Sequence, residues 1–476
     1  MTIVTSLRYC LLLAFFVTLY STIINEQSGS EWFGLSIILY ILVLLVLSFT
    51  KVKTVQPLVI YFIFLSIFWC LFRVIVLNFS VESVNYRYLL DFDHSDMAWT
   101  VLMISISSIF LVAGIVLGGL KRPPKVRFKV PLLSMGVNVK FFALYFLFLL
   151  VVVVVENELF RESGATKAVA VISFFLSTDS LIFLICSLFI SRQDLSSRER
   201  HLLLLALFAY VFIRLLVGSK SGLYVVFLGL MVGMLSFDHL FKIRIKLIFL
   251  LFMLAPIGLI IFAVGTETRA LSFELSKAGE FSNANLLNLI YEKRHIIWDS
   301  FDLQGFFNYF SRRISMFDYL NVLFNGETQT EHLGFLYGLK TLWNVITPSF
   351  IGFDDALIFQ ANLFKVAYGP ETYQEKLTSY HSDMLPFFGS SYAAFGGFSL
   401  VLVSVFGYIF SRIYIIIDCC NFQENYFFKG LCIYFFGDFL FGMGVVSTIQ
   451  QILFFTLFPL ALYFLVQSTR DHWSRD

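Results

Sequence analysis

His381 and Asp383 stand close together in the polar segment YHSD, directly before a long apolar stretch. A neutral histidine can take a proton from an attacking hydroxyl group. Two further histidines, His295 and His332, lie in the same hydrophilic part of the chain. A lone histidine is more often structural, but the position of His381 beside a carboxylate and at the edge of the apolar stretch makes it the candidate base.

Arginines form a second candidate group in the hydrophilic segment 266–389. Arg312 and Arg313 are adjacent, and Arg269 and Arg294 lie elsewhere in the segment. The segment has more acidic than basic residues, so the arginine pair does not reflect a general basic bias. A guanidinium fork matches the geometry of phosphate oxygens. The pair could therefore hold a lipid-linked diphosphate, while contacts to lipid headgroups or to loop carboxylates are the alternative.

A third candidate is the turn GSKSG at 218–222, which follows Arg214 and contains Lys220. Small residues permit a tight turn whose backbone N–H groups can face an anion, and the positive end of the following helix dipole points to the same place. The spacing does not fit a nucleotide-binding P-loop. We interpret the turn as an anion site, and a plain interhelical turn with an interfacial lysine is the alternative.

Charged residues inside apolar stretches are further candidates, because they are costly in lipid. They are Arg73, Asp179, Arg214, Arg412 and Asp438. The arginines lie toward the ends of their stretches, where a structural role with the charge reaching the interface is the alternative. The two aspartates lie deeper, and polar packing between helices is favoured over a proton path.

The composition identifies the elements that must position these residues. The chain is 58% hydrophobic and only 14% charged, whereas soluble domains carry about 25% charged residues. This excludes a soluble enzyme and predicts an all-α polytopic membrane protein. Runs of about 20 apolar residues suffice to cross a bilayer. We expect about twelve of them, at 9–24, 33–49, 55–77, 97–120, 139–155, 169–190, 201–217, 221–240, 247–265, 390–416, 430–447 and 450–467.

Lysine and arginine in the short loops alternate between sides without a break, and the basic side is predicted to be cytoplasmic. Both termini are then cytoplasmic, and the first apolar run is a retained span, because no small-x-small cleavage site follows it. The chain divides into spans 1 to 9 (1–265), a large extracytoplasmic loop (266–389), and spans 10 to 12 with a short tail (390–476). Within the loop, the spacing predicts helices, and 305–324 suits a helix lying at the membrane surface.

The order of these motifs resembles the repeat-unit polysaccharide polymerases of O-antigen type (Wzy) and, more distantly, the O-antigen ligases. The resemblance rests on GSKSG opening a span, SRRISMFDYL (311–320), GFLYGLKTLWNVITPSFIG (334–352) and HSDMLPFFGSSYAAFGGFSLVL (381–402). It covers most of residues 200–415. Lys220 stands where the family commonly has arginine.

The resemblance implies a GT-C-like, lipid-carrier-dependent glycosyltransferase of the cytoplasmic (inner) membrane that uses no cofactor or metal. Undecaprenyl-diphosphate-linked glycans would be donor and acceptor, and the partners would be the lipid bilayer, a flippase and a chain-length regulator, with no nucleic acid. Arg312 and Arg313 would stabilise the leaving diphosphate. Arg214, Lys220, Arg294 and Arg269 would help bind it, and His381 with Asp383 would act on the acceptor hydroxyl.

Two rival functions stay open at this point. A ligase that transfers a glycan to another acceptor would use the same site. A flippase for lipid-linked oligosaccharides would need a polar central cavity and short loops on both sides. The long loop and the scarcity of charge inside the predicted spans argue against the flippase.

Overall fold

A computed structural model of the 476-residue chain gives the architecture. It describes residues 3–24, 30–79, 93–120, 138–161, 195–216, 317–325, 386–419, 425–441 and 458–473, together with single residues and pairs between 181 and 292. All regular structure within these ranges is helical. The prediction of an all-α protein is confirmed for the part of the chain that the structure describes.

The helices are numbered here in chain order. They are α1 (Ile3–Ile24), α2 (Ser30–Leu47), α3 (Gln56–Ser66), α4 (Phe72–Phe79), α5 (His94–Leu120), α6 (Val139–Arg161), α7 (Ser197–Leu216), α8 (Phe317–Asn325), α9 (Phe387–Phe395), α10 (Ser399–Cys419), α11 (Asn425–Phe441) and α12 (Phe458–Trp473). A π-helical turn (Ile67–Leu71) joins α3 to α4, and a 3-10 turn (Gly396–Phe398) joins α9 to α10.

Five helical stretches in the described residues are long and apolar enough to cross a membrane. They are Val4–Ile24, Ser30–Leu47, Lys53–Asn78, His94–Leu120 and Gly396–Cys419. They coincide with the first four predicted spans and with most of the tenth. The protein is therefore a helical membrane protein, and the count of about twelve spans stays a prediction. Spans 221–240 and 247–265 fall almost wholly outside the described residues, as does most of span 169–190.

Two of the helices begin with reciprocal capping. Asp93 accepts hydrogen bonds from the backbone N–H groups of Ser95 (2.8 Å) and Asp96 (2.9 Å), and the Asp96 carboxylate accepts one from the Asp93 N–H. At the start of α7, Glu199 accepts from the N–H of Ser196 at 2.9 Å, and Ser196 Oγ accepts from the N–H of Glu199. Such boxes satisfy N–H groups that lack partners at a helix start. They explain where α5 and α7 begin.

Contacts between helix ends show that α1 and α2 run in opposite directions and identify the two ends of the bundle. Arg8 near the start of α1 donates to the backbone oxygen of Ser48, just after α2, at 2.8 Å. At the same end of the bundle, Arg412 donates to the carbonyl of Gly118, and Lys429 forms an ion pair with Asp418. These ends were predicted to share one side. At the opposite end, called the predicted outer end below, Asn78 donates to Ser21.

Close packing of α5 on α10 forms the centre of the bundle. A Cβ atom placed on Gly114 would lie 1.9 Å from the carbonyl oxygen of Ser404, and one on Gly407 would lie 2.4 Å from that of Leu111. Only glycine permits backbones to approach so closely, as is common between helices in lipid. The two helices run in the same direction, because positions later in α5 meet positions later in α10.

The predicted span 390–416 is confirmed from Gly396 onward, and its predicted start is wrong, because the chain breaks at Gly396. That glycine has a φ of 56°, a value that residues with a Cβ rarely adopt. The ring of Phe387 in α9 lies 5.0 Å from that of Phe406 in α10, so α9 folds back along α10 instead of extending it. The apolar composition runs through both helices and conceals the break.

Helix α8 differs from the expectation of a helix at the membrane surface. Its side chains at Phe317, Asp318, Leu320, Asn321 and Phe324 are all buried. The amphipathic pattern is present, but the polar face meets polar groups of α4 and α5 and the apolar face meets α9. This part of the loop segment is therefore packed among the other helices.

Candidate functional site

Most of the predicted site residues lie outside the described residues. These are His381, Asp383, Arg312, Arg313, Lys220, Arg294 and Arg269. The backbone of Arg214 belongs to α7, and its side chain is not among those that the structure describes. The structure nevertheless describes the helices that directly follow two of the groups. Helix α8 begins four residues after Arg313, and α9 begins four residues after Asp383.

Helices α8 and α9 pack against each other. The rings of Phe324 and Tyr392 lie 5.0 Å apart at a steep angle. A Cβ atom on Gly389 would lie 2.6 Å from Leu323 Cδ1 and 3.0 Å from Leu320 Cδ2, so the ends of these two leucine side chains lie close against the α9 backbone. Four residues span at most roughly 14 Å. The two candidate groups are thus each tied by a short segment to one of two helices in contact.

A buried ion pair fastens α8 to the membrane helices. Arg73 Nε lies 3.2 Å from Asp318 Oδ1, and Arg73 Nη2 lies 3.3 Å from Oδ2. The two side chains are 0% and 2% exposed. This is the two-pronged geometry that guanidinium and carboxylate prefer. Burying either charge alone would be costly, so the position of α8 is coupled to that of Arg73.

Amide and hydroxyl groups continue the contact between α8 and α5. Thr100 Oγ1 donates to Asn321 Oδ1 at 2.7 Å. Asn325 Nδ2 lies 2.9 Å from the carbonyl oxygen of Asp96 and 2.7 Å from Thr100 Oγ1. Together with the ion pair, these residues form what we call the polar cluster: Arg73, Asp318, Thr100, Asn321 and Asn325. It lies at the predicted outer end of the bundle, because Arg73 belongs to α4, the last part of its membrane helix, and Thr100 is near the start of α5.

A row of aromatic ring contacts connects the start of α9 to the helix that carries Arg73. Phe388 lies 6.3 Å from Phe62 and 6.2 Å from Phe441, and Phe441 stacks on Trp69 at 6.4 Å. Trp69 lies one turn before Arg73 in the same membrane helix. Both α8 and α9 therefore rest against the stretch of that helix between Phe62 and Arg73.

The π-helical turn at Ile67–Leu71 contains Trp69 and directly precedes α4. A π turn takes one more residue than an α turn, and such turns occur frequently at functional sites. The extra residue shifts the face that Arg73 presents relative to that of the preceding helix. It is thus part of the reason why Arg73 meets Asp318.

The remaining charged residues predicted inside spans have structural surroundings where they are described. Arg412 donates to the Gly118 carbonyl at 3.3 Å, which fits the structural alternative. Asp438 in α11 is half-buried and lies near enough to Tyr61 to interact with it electrostatically. Asp179 lies outside the described residues.

Asp93 gives the polar-cluster end of α5 a fixed negative charge. Hydrogen bonds from the Ser95 hydroxyl and the Asp96 N–H lower the pKa of its carboxyl group below the usual 3.8. The charged carboxylate is favoured because it accepts these donors at the positive end of the helix dipole.

Sequence reasoning singled out Arg73 but not its partner. Asp318 is one of many acidic residues in the segment 266–389, and nothing in its neighbours distinguishes it. Thr100, Asn321 and Asn325 were also missed, because uncharged polar residues are common in both spans and loops. The signal that was present is the spacing of Asp318, Asn321 and Asn325, which places all three on one face of a helix.

Comparison with known proteins identifies no family for this chain. No family model matches the chain, no curated protein is significantly similar to it, and no solved structure resembles it significantly.

Proposed function

We propose that the protein is a repeat-unit polysaccharide polymerase, which joins undecaprenyl-diphosphate-linked oligosaccharide units at the outer face of the cytoplasmic membrane. Support comes from the order of the motifs that resemble that family and from the helical membrane architecture. The single observation that carries most weight is the contact between α8 and α9. It joins the helix that follows the arginine pair to the helix that follows His381 and Asp383.

In the proposed reaction, a hydroxyl group of the acceptor unit attacks the anomeric carbon of the donor glycan. The bond from that carbon to undecaprenyl diphosphate breaks, and the diphosphate takes the electron pair. Arg312 and Arg313 stabilise the developing negative charge, with Arg214, Lys220, Arg269 and Arg294 as further cations for the diphosphate. His381, aided by Asp383, orients the hydroxyl group and accepts its proton.

The proposal includes the partners that this reaction requires. The glycan-bearing lipid must arrive at the outer face, so a flippase acts before this protein. A chain-length regulator acts with it. No step of the proposed reaction uses a metal or an organic cofactor.

Deletion of the gene in the source organism tests the reaction type. A polymerase predicts that surface glycan persists with one repeat unit per chain, visible as a single band on a carbohydrate-stained gel. Loss of all attached units would instead support a ligase or a flippase.

Two loop variants test the proposed roles. His381→Ala and Arg312→Ala should each abolish chain extension at normal protein level. His332→Ala and Lys340→Ala are matched controls, because they remove a histidine and a cation that the proposal does not use. Near-normal polymer from both site variants would refute the assignment.

A further inference from the structure

We infer that Arg73 and Asp318 are positioning residues for the proposed reaction: their buried ion pair docks α8 and thereby fixes the arginine pair that precedes it. The inference rests on the proposed function for its link to catalysis. The docking itself follows from contacts among the described residues.

The charged pair restricts how α8 can dock. The apolar side chains of α8, such as Phe317, Leu320 and Phe324, could pack in several registers against lipid or helices. The carboxylate of Asp318 has much less freedom, because a buried carboxylate must meet a cation. The guanidinium of Arg73, which is fully buried, offers the matching fork at 3.2 and 3.3 Å. One register of α8 satisfies both groups.

The other contacts of α8 agree with this register. In the register set by Asp318, Asn321 meets Thr100 and Asn325 meets the Asp96 carbonyl oxygen. The opposite face then presents Leu320 and Leu323 to Gly389 of α9. The ion pair therefore also determines how α8 sits against α9.

Helix α8 is connected by a short segment to the arginine pair. Arg313 is four residues before Phe317, so its backbone lies within roughly 14 Å of the start of α8. Asp383 is tied in the same way to the start of α9. A shift of α8 would move the arginine pair relative to His381 and Asp383, and a displacement of about 1 Å can reduce a catalytic rate about a hundredfold.

A cysteine cross-link measures the docking without reference to activity. A Cβ atom on Gly389 lies 3.1 Å from Leu323 Cβ, which is close enough for a disulfide after a small adjustment. The full-length chain with Leu323→Cys and Gly389→Cys is oxidised in membranes, and the linked peptide is quantified by mass spectrometry. Polymer length is measured in cells expressing the same position-73 and position-318 variants without the added cysteines.

Three variants distinguish positioning from direct action on substrate. Arg73→Met and Asp318→Leu each leave one buried charge unpaired, and each should reduce the cross-link about tenfold or more and abolish polymer. The combined R73M/D318L variant replaces the pair by apolar side chains of similar size, a change that is often neutral. It should restore both cross-link and polymer to within about twofold of the parent, because no charge is left unpaired and the contacts of Asn321, Asn325 and Gly389 still favour the same register.

Two results overturn the inference. If R73M/D318L restores the cross-link but makes no polymer, one of the two residues acts on the substrate directly. If the single variants keep both the cross-link and the polymer, the pair does not position α8.

If the Arg73→Met and Asp318→Leu proteins do not accumulate in the membrane, a less disruptive variant tests the same inference. Arg73→Lys keeps the charge and loses the fork, so it should lower the cross-link and shorten the polymer, and unchanged values of both would contradict the inference. If the parent chain makes no polymer in any assay, the proposed function fails, and the cross-link alone still decides whether the ion pair docks α8.

Discussion

Arg73 and Asp318 are 245 residues apart in the sequence, yet their side chains form a two-pronged ion pair that is almost completely buried. Arg73 belongs to an early membrane helix and Asp318 to a short helix in the long segment between apolar stretches. The pair makes this short helix part of the membrane bundle at the predicted outer end. The proposed active site depends on this arrangement, because α8 and α9 lead directly out of the candidate residues.

Neutralising one member of the pair should destabilise the protein. Asp318→Asn leaves the buried guanidinium of Arg73 without a counter-charge, and we expect the free energy of unfolding to fall by about 3–5 kcal/mol. Thermal unfolding in one detergent measures the change. Asp93→Asn is the control, because asparagine is an equally good helix N-cap and Asp93 is exposed. Equal unfolding temperatures for the two variants would contradict the role of the pair.

Two adjacent glycines provide a matched test of the turn between α9 and α10. Gly396 has a φ of 56° and a ψ of −138°, whereas a Cβ atom on Gly397 would meet nothing within 4 Å. Gly396→Ala should therefore cost about 1–3 kcal/mol, and Gly397→Ala should cost little. The two unfolding temperatures are compared directly. A larger loss for Gly397→Ala would show that the turn is not built as described.

The close approach of α5 and α10 predicts a further sensitive position. A methyl group on Gly114 would lie 1.9 Å from the Ser404 carbonyl oxygen, so Gly114→Ala must push the helices apart. We expect a loss of about 1–3 kcal/mol, measured as earlier unfolding in detergent. Gly397→Ala again serves as the reference substitution. An unchanged unfolding temperature for Gly114→Ala would refute the tight packing.

The capping of α5 predicts a dependence on pH. The folded-state pKa of Asp93 is lowered by its hydrogen bonds, so its stabilising contribution is present above the unfolded pKa of about 3.9. It is lost as the pH falls through the folded pKa. Asp93→Ala should thus cost about 0.5–1 kcal/mol near neutral pH, and the difference from the parent should shrink toward pH 3. Unfolding temperatures at several pH values measure this, and a constant difference would argue against the cap.

Much of the architecture was accessible from the sequence, because twenty-residue apolar runs have few alternatives to membrane helices. Arg73 was also identifiable, since a charge in an apolar run is rare. Its partner Asp318 was not identifiable, because nothing in the sequence around a distant acidic residue indicates which residue it will contact. The break at Gly396 was hidden by apolar residues on both sides. The burial of α8 was missed because a polar face can meet either water or the polar groups of other helices.

Reconstitution of the purified protein tests the central claim most directly. The protein in liposomes is supplied with undecaprenyl-diphosphate-linked repeat units, and the lipid-linked products are separated by size. A polymerase should give a ladder of two or more units per lipid, with release of undecaprenyl diphosphate, and the Arg312→Ala variant should give no ladder. Products that remain at one unit, while the protein is folded and the native substrate is present, would contradict the proposed function.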